Sequence, residues 1–170
     1  AYPCASPHCE RCQVKGRTIR PHNLPRGGVA SALLRQAVAL EPNSLEATEY
    51  LARLRYREGI EAIEAQNYFK AVEILREYVD QNPTDGEASF NLGLAQLFSD
   101  NLSAAEGEFL KTAELMPENW ESFDRLGYIH ELKSDYPKSL ENYQKAHGLN
   151  PDSSIQESIE RIQERIRRGE

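Results

Sequence analysis

The sequence predicts an all-α protein, a row of helical hairpins stacked side by side behind an irregular leading segment. Three observations predict it. Pro83, Pro117 and Pro151 recur at intervals of 34 residues. Apolar residues follow a helical period from Val29 onward, and few helix breakers interrupt that stretch. Only 39% of the 170 residues are apolar while 28% are charged, too lean for one large central core and natural for a stacked array. No apolar run approaches the roughly 20 residues a membrane helix needs, so direct membrane insertion is not expected. Regularly recurring Leu, Ile, Phe and Tyr argue against wholesale disorder. The net charge of −7 argues against a nucleic-acid partner.

Residues 1–27 stand apart. They carry Arg11, Lys15, Arg17, Arg20 and Arg26 against Glu10, a net +4, which leaves −11 for residues 28–170. Pro3, Pro7, Pro21 and Pro25 lock φ and lack an N–H, so this basic arm holds no long helix. All three cysteines lie in it, as Cys4-x4-Cys9-x2-Cys12. Cys4, Cys9, Cys12 and His22, with His8 as a substitute, have the ligand types of a zinc site, and Lys15 and Arg17 would favour ionised sulfur. A disulfide or redox pair with one spare thiol, and three reduced thiols in a tail, stay open beside zinc. Covalent haem needs a histidine directly after the second cysteine, and Gln13 stands there. The opposed charges also suit docking of the arm onto acidic array surface, its own or that of a second copy, which would make a homo-oligomer. The chain opens at Ala1 and its one methionine is Met116, so a processed, trimmed or partial chain is expected, with its compartment unassigned.

Taking each recurring proline as position 32 of a unit places full units at 52–85, 86–119 and 120–153. Position 8 is then Gly59, Gly93 and Gly127; position 20 is Ala71, Ala105 and Ser139; position 24 is Leu75, Phe109 and Tyr143. Position 7 holds Leu92 and Leu126, though Glu58 in the first unit. Two antiparallel helices approach closely only where side chains are small, as at positions 8 and 20. The large residues at 7 and 24 fill the space alongside, and the proline stops the second helix. Gln66-Asn67-Tyr68, Asp100-Asn101-Leu102 and Ser134-Asp135-Tyr136-Pro137 supply the turns inside the hairpins, with Pro137 as a first-turn proline. Over roughly residues 30–153 this pattern resembles the tetratricopeptide repeat. The family prefers Ala at position 27; Ala146 keeps it, and Tyr78 and Thr112 depart from it, which predicts locally wider packing.

The ends are atypical. Before Pro42, Ala30, Leu34 and Ala37 match positions 20, 24 and 27, the second helix of a half unit. Pro42 and Pro83 are 41 apart, so seven extra residues are expected to lengthen the next helix to about 44–66. Seven residues are about two turns, which preserves its inward face. At the other end Ile155, Ile159, Ile162 and Ile166 line one stripe, with Glu157–Arg161 and Glu164–Arg168 as i,i+4 pairs. Arg161 falls where a fourth unit would need glycine, so 154–170 reads as a capping helix. A two-heptad coiled-coil dimer is the alternative, marginal at that length. The organisation is thus an irregular Cys-containing arm (1–27), a helix-turn-helix solenoid of a half unit and three full units (28–153), and the cap (154–170).

In the family the first helices line a concave groove. The resemblance implies a non-catalytic scaffold or adaptor that binds a partner protein, as a peptide or helix, through Arg53, Tyr56, Ile60, Phe90, Asn91, Leu94, Arg125 and Tyr128. Ile63, Leu97 and Leu132 are the lining positions more apt to belong to the core. The family's carboxylate clamp for acidic chaperone tails keeps Asn91 and Arg125 here, but Tyr56, Ile60 and Glu121 replace its other members, so such tails are not the expected ligand. No catalytic constellation stands out. His130 and His147 are isolated, and there is neither a nucleophile elbow nor a phosphate-cradling glycine loop. A thiol redox activity would rest on Cys9 and Cys12 alone. The alternative to an adaptor is a structural or assembly component, joined through its cysteine arm or holding a metal there.

Overall fold

The structure, a computed structural model, describes Ala39 and residues 45–169. Among the described residues it contains seven helices and no strand: α1 (Leu45–Glu64), α2 (Tyr68–Gln81), α3 (Gly86–Phe98), α4 (Leu102–Leu115), α5 (Trp120–Leu132), α6 (Tyr136–Leu149) and α7 (Ser153–Arg168). They fall into two compact units, one ending at Gln66 and one beginning at Asn67. The basic arm and the helix expected around Ala30, Leu34 and Ala37 lie outside the described residues.

Helix α1 is the long helix expected over about 44–66. Leu54 is buried within its own unit, with Tyr50 and Leu51 packed against it.

In the second unit, side-chain caps start most of the helices. The side chains of Asn67, Asp85, Asn119, Asp135 and Asp152 accept hydrogen bonds from backbone N–H groups of the first turns of α2, α3, α5, α6 and α7. Each satisfies a donor that the helix cannot. Pro137 sits in the first turn of α6, where its missing N–H leaves no bond unmade. The turns after α3 and α5 share one device. Asp100 (φ 63°) and Ser134 (φ 59°) take left-handed backbone, and the next residue closes the turn. Asn101 N–H donates to Gln96 C=O, and Asp135 N–H to His130 C=O, both at 2.9 Å. Gln66, at the end of the first unit, is left-handed as well (φ 57°).

Two apolar clusters run through the second unit. Leu97, Ala105, Phe109, Leu126 and Ile129 join α3, α4 and α5. Tyr136, Tyr143, Ala146, Ile155, Ile159 and Ile162 join α6 to α7, and Phe123 of α5 packs against both clusters. Close approach depends on two glycines. A Cβ on Gly93 would stand 2.9 Å from the Phe109 ring, and one on Gly127 2.8 Å from the Tyr143 ring. The opposing small residue at the second contact, Ser139, also donates its hydroxyl to the Gly127 carbonyl at 2.8 Å.

Two expectations need correction. Position 27 is not simply wider: Thr112 is fully buried, and its hydroxyl lies 2.9 Å from the Glu108 carbonyl and 3.4 Å from that of Gly86. Tyr78 instead donates its hydroxyl to Asp85 at 3.1 Å. The Thr112 hydroxyl thus bonds chiefly one turn back in its own helix, and that of Tyr78 bonds the cap of the next helix. The second correction concerns α7. Its stripe buries Ile155, Ile159 and Ile162 as expected, but Ile166, in the last turn, is exposed. Arg161 does not serve as the i,i+4 partner of Glu157. It reaches α5 and grips Glu131 with two hydrogen bonds of 3.0 and 2.9 Å. The Glu131 side chain is largely buried, so a bidentate guanidinium is worth more there than a pair exposed on the helix surface. Glu164–Arg168 does form, at 3.0 Å.

Candidate partner-binding face

Helices α3 and α5 are the first helices of the α3–α4 and α5–α6 hairpins, and residues 34 apart occupy equivalent places on them. Glu87 and Glu121, Phe90 and Asp124, Asn91 and Arg125, Leu94 and Tyr128, Phe98 and Leu132 pair off in this way. Spacings of three, four and seven residues put each set on one helix face.

The two stripes are not equally free. Phe90 and Leu94 are half-buried and pack against the α3–α4–α5 cluster, the Phe90 ring meeting Phe109 edge-on at 5.5 Å between centroids. Asn91 is half-buried, and its side-chain amide donates to the Glu87 carbonyl one turn back. Arg125 pairs with Asp124 at 3.3 Å. Tyr128 is 42% exposed, Leu132 49% and Phe98 53%, a concentration of open apolar surface at the C-terminal ends of the two helices. Phe98 touches the Tyr68 ring at 5.0 Å. Of the positions held back as core, Leu97 is buried and Ile63 half-buried, whereas Leu132 is exposed.

Charge on this face is one-sided. α3 contains no basic residue, and α5 contains only Arg125 and His130. His130 is buried, with Nε2 3.7 Å from a carboxylate oxygen of Glu106, which also pairs with Lys133. Burial raises the Asp124 carboxyl above the usual range, opposed by the adjacent Arg125 charge and reinforced by Asp152 and Glu121.

The remaining candidates lie elsewhere. On α1, Arg53 is exposed and lines a shallow cleft with Tyr50, Leu54 and Arg57, while Tyr56 and Ile60 are half-buried. Cys4, Cys9, Cys12 and His22, the residues assigned to zinc, lie outside the described residues. Among the described residues no three His, Cys, Asp or Glu are grouped to hold a metal ion, and no helix is long and apolar enough to cross a membrane. Phe98 falls at a groove-lining position of its unit, but sequence reasoning neither singled it out as a binding residue nor foresaw its contact with half-buried Tyr68. The available signal was the step of four residues from Leu94 to Phe98, which the same step from Tyr128 to Leu132 repeats.

The tetratricopeptide repeat family profile matches residues 56–119. Among solved structures, MamA is similar with a TM-score of 0.67 and 20% identity, over 79% of this chain and 75% of the MamA chain. The fold is a tetratricopeptide solenoid, and residues 56–119 carry the family's repeat. The tetratricopeptide fold is shared also with the first such domain of Spaghetti (RPAP3), solved bound to the HSP90 peptide SRMEEVD, at 15% identity and a TM-score of 0.65, over 68% of this chain and 92% of that one. It is shared again with YrrB, described as a tetratricopeptide protein with an unusual peptide-binding site, at 21% identity and a TM-score of 0.58, over 75% and 79% of the two chains. No curated protein sequence matches the chain. Tetratricopeptide repeats are generally non-catalytic and generally serve protein–protein interaction.

Proposed function

We propose that the chain is a scaffold or adaptor that captures a peptide or helix of another protein on the face shared by α3 and α5. The observation that carries this reading is the open apolar surface of Phe98, Tyr128 and Leu132, at matching positions of successive first helices. Large apolar side chains left exposed in register mark an interaction surface more than an error of packing. The similar RPAP3 and YrrB structures, a peptide complex and a protein with a peptide-binding site, support the class of ligand. In this reading Leu94 and Tyr128 form the centre, Phe90 supports it from the core side, and Asn91 and Arg125 orient the ligand. By register alone, Arg53, Tyr56 and Ile60 hold the equivalent positions of α1 and take the same role. The unit boundaries at 52–85, 86–119 and 120–153 belong to the same proposal.

The test is affinity capture from the native source, followed by mass spectrometry, with wild type and a Tyr128→Ala, Leu132→Ala variant. A specific protein held by wild type and lost by the variant, with helicity by circular dichroism unchanged, is the expected result. Equal capture by both would refute the assignment of the face.

A further inference from the structure

The strip is apolar at one end and acidic at the other, and this polarity selects its ligand. Leu94, Phe98, Tyr128 and Leu132 occupy the C-terminal halves of α3 and α5. Glu87 and Glu121 occupy the first turns of the same helices, and Asp124 follows the first turn of α5. Eleven residues separate Glu87 from Phe98, about 16 Å along a helix. On α3 and α5 the one base besides buried His130 is Arg125, and it is engaged with Asp124. Asp152, at the start of α7, adds another negative charge near Asp124. A ligand carboxylate would therefore meet uncompensated like charge, whereas a ligand cation would meet at least Glu87 and Glu121.

Resting on the function proposed above, we infer that the strip takes a basic amphipathic segment of a partner protein. Its apolar residues seat on Leu94, Phe98, Tyr128 and Leu132, and its Lys or Arg residues lie against Glu87 and Glu121. The bland alternative is that these acids only complement the helix N-termini. That role accounts for Glu87 and Glu121 but does not oblige α3 and α5 to lack a free base.

Two fluorescein-labelled 16-residue amphipathic peptides, alike in their apolar residues and carrying three Lys or three Glu at one end, are titrated against the full chain by fluorescence anisotropy. The Lys peptide is expected to bind about ten-fold more tightly at low salt, an advantage that shrinks as screening shortens the reach of the charges. Glu87→Gln with Glu121→Gln, isosteric and gentle on the fold, is expected to remove most of it. Equal or tighter binding of the Glu peptide overturns the inference while leaving the strip as a docking face, provided Tyr128→Ala, Leu132→Ala abolishes both signals. A Lys preference that survives the double Gln variant assigns the effect to the net charge of the whole chain and also overturns it. Failure of both peptides to bind rejects the docking face and the inference together. Sedimentation showing that wild type dimerises, and that Tyr128→Ala, Leu132→Ala does not, gives the strip to a second copy and refutes a basic segment as its occupant.

Discussion

The same substitution should have opposite effects at two helical glycines. In α5, Gly127 faces the ring of Tyr143, and an added Cβ would lie 2.8 to 2.9 Å from Cδ1, Cε1 and Cγ. Tyr143 cannot swing away cheaply: it is buried, and its hydroxyl is tied to Glu131 at 3.1 Å. In α4, Gly107 has nothing within 4 Å of where its Cβ would be. Replacing glycine by alanine inside a helix gains roughly 0.5–1 kcal/mol from backbone entropy. Forcing a methyl group into a packed contact costs roughly 1–3 kcal/mol. Gly107→Ala should therefore stabilise by about 0.5–1 kcal/mol, and Gly127→Ala should destabilise by about 1–2 kcal/mol. For a chain of 170 residues each kcal/mol moves the midpoint by about 2–4 °C. Urea titrations followed by circular dichroism, with thermal melts alongside, read both values. A Gly127→Ala protein as stable as wild type or more so would refute the close contact between α5 and α6. A loss at Gly107 would refute the propensity term on which the comparison rests.

Other expectations follow from the same contacts. Ser134 holds left-handed backbone, so Ser134→Gly should raise the urea midpoint by the equivalent of about 0.5 kcal/mol, and a fall would contradict that conformation. Hydrogen bonding from Arg161 holds the Glu131 carboxyl below its usual range, with burial pulling the other way and the Arg161 charge and Tyr143 hydroxyl assisting. A depressed folded pKa means that the stabilisation is complete above the unfolded value of about 4.3 and is lost as pH falls through the folded value. Glu131→Gln should lower stability at pH 7 by about 1 kcal/mol and flatten the acid limb below about pH 5; an unchanged acid limb would contradict the linkage. Tyr128→Ala should leave stability within about 0.5 kcal/mol, whereas Phe90→Ala should cost about 1–2 kcal/mol, less than the ~3–5 of a fully buried phenylalanine. Equal losses at the two sites, measured by urea titration, would mean that Tyr128 is core.

Features encoded by one residue's own geometry were readable in the sequence. Pro83, Pro117 and Pro151 each follow a helix C-cap, and the glycine opposite a large residue shows as Gly93–Phe109 and Gly127–Tyr143. Both depend on sterics that hold in any context. Partner choice across helices was not readable. Arg161 has an acid four residues before it, and pattern alone pairs the two; the winning carboxylate, Glu131, is 30 residues away and better desolvated. The hydroxyls of Thr112 and Tyr78 were departures from a small-residue rule until their acceptors, Gly86 with Glu108 and then Asp85, came into view. For the candidate face, helical phase brought out Phe90, Leu94 and Tyr128 together. Phase cannot tell that Phe90 leans on Phe109 while Leu132 stands open, because exposure depends on what the adjoining helices leave uncovered.

Helix α7 has a mechanical consequence. Three isoleucines, one bidentate clamp on Glu131 and the stacking of Arg165 on Tyr136, also joined by a hydrogen bond, hold it to the helices before it. Within the second unit each helix leans chiefly on its sequence neighbours, so force applied beyond Gly169 would act on α7 before any other element. Pulled from that side, the unit should yield in steps, with α7 peeling first at low load and the α5–α6 hairpin resisting longer. Cutting the clamp with Glu131→Gln should lower the first step in an optical-trap trace and leave the later ones in place.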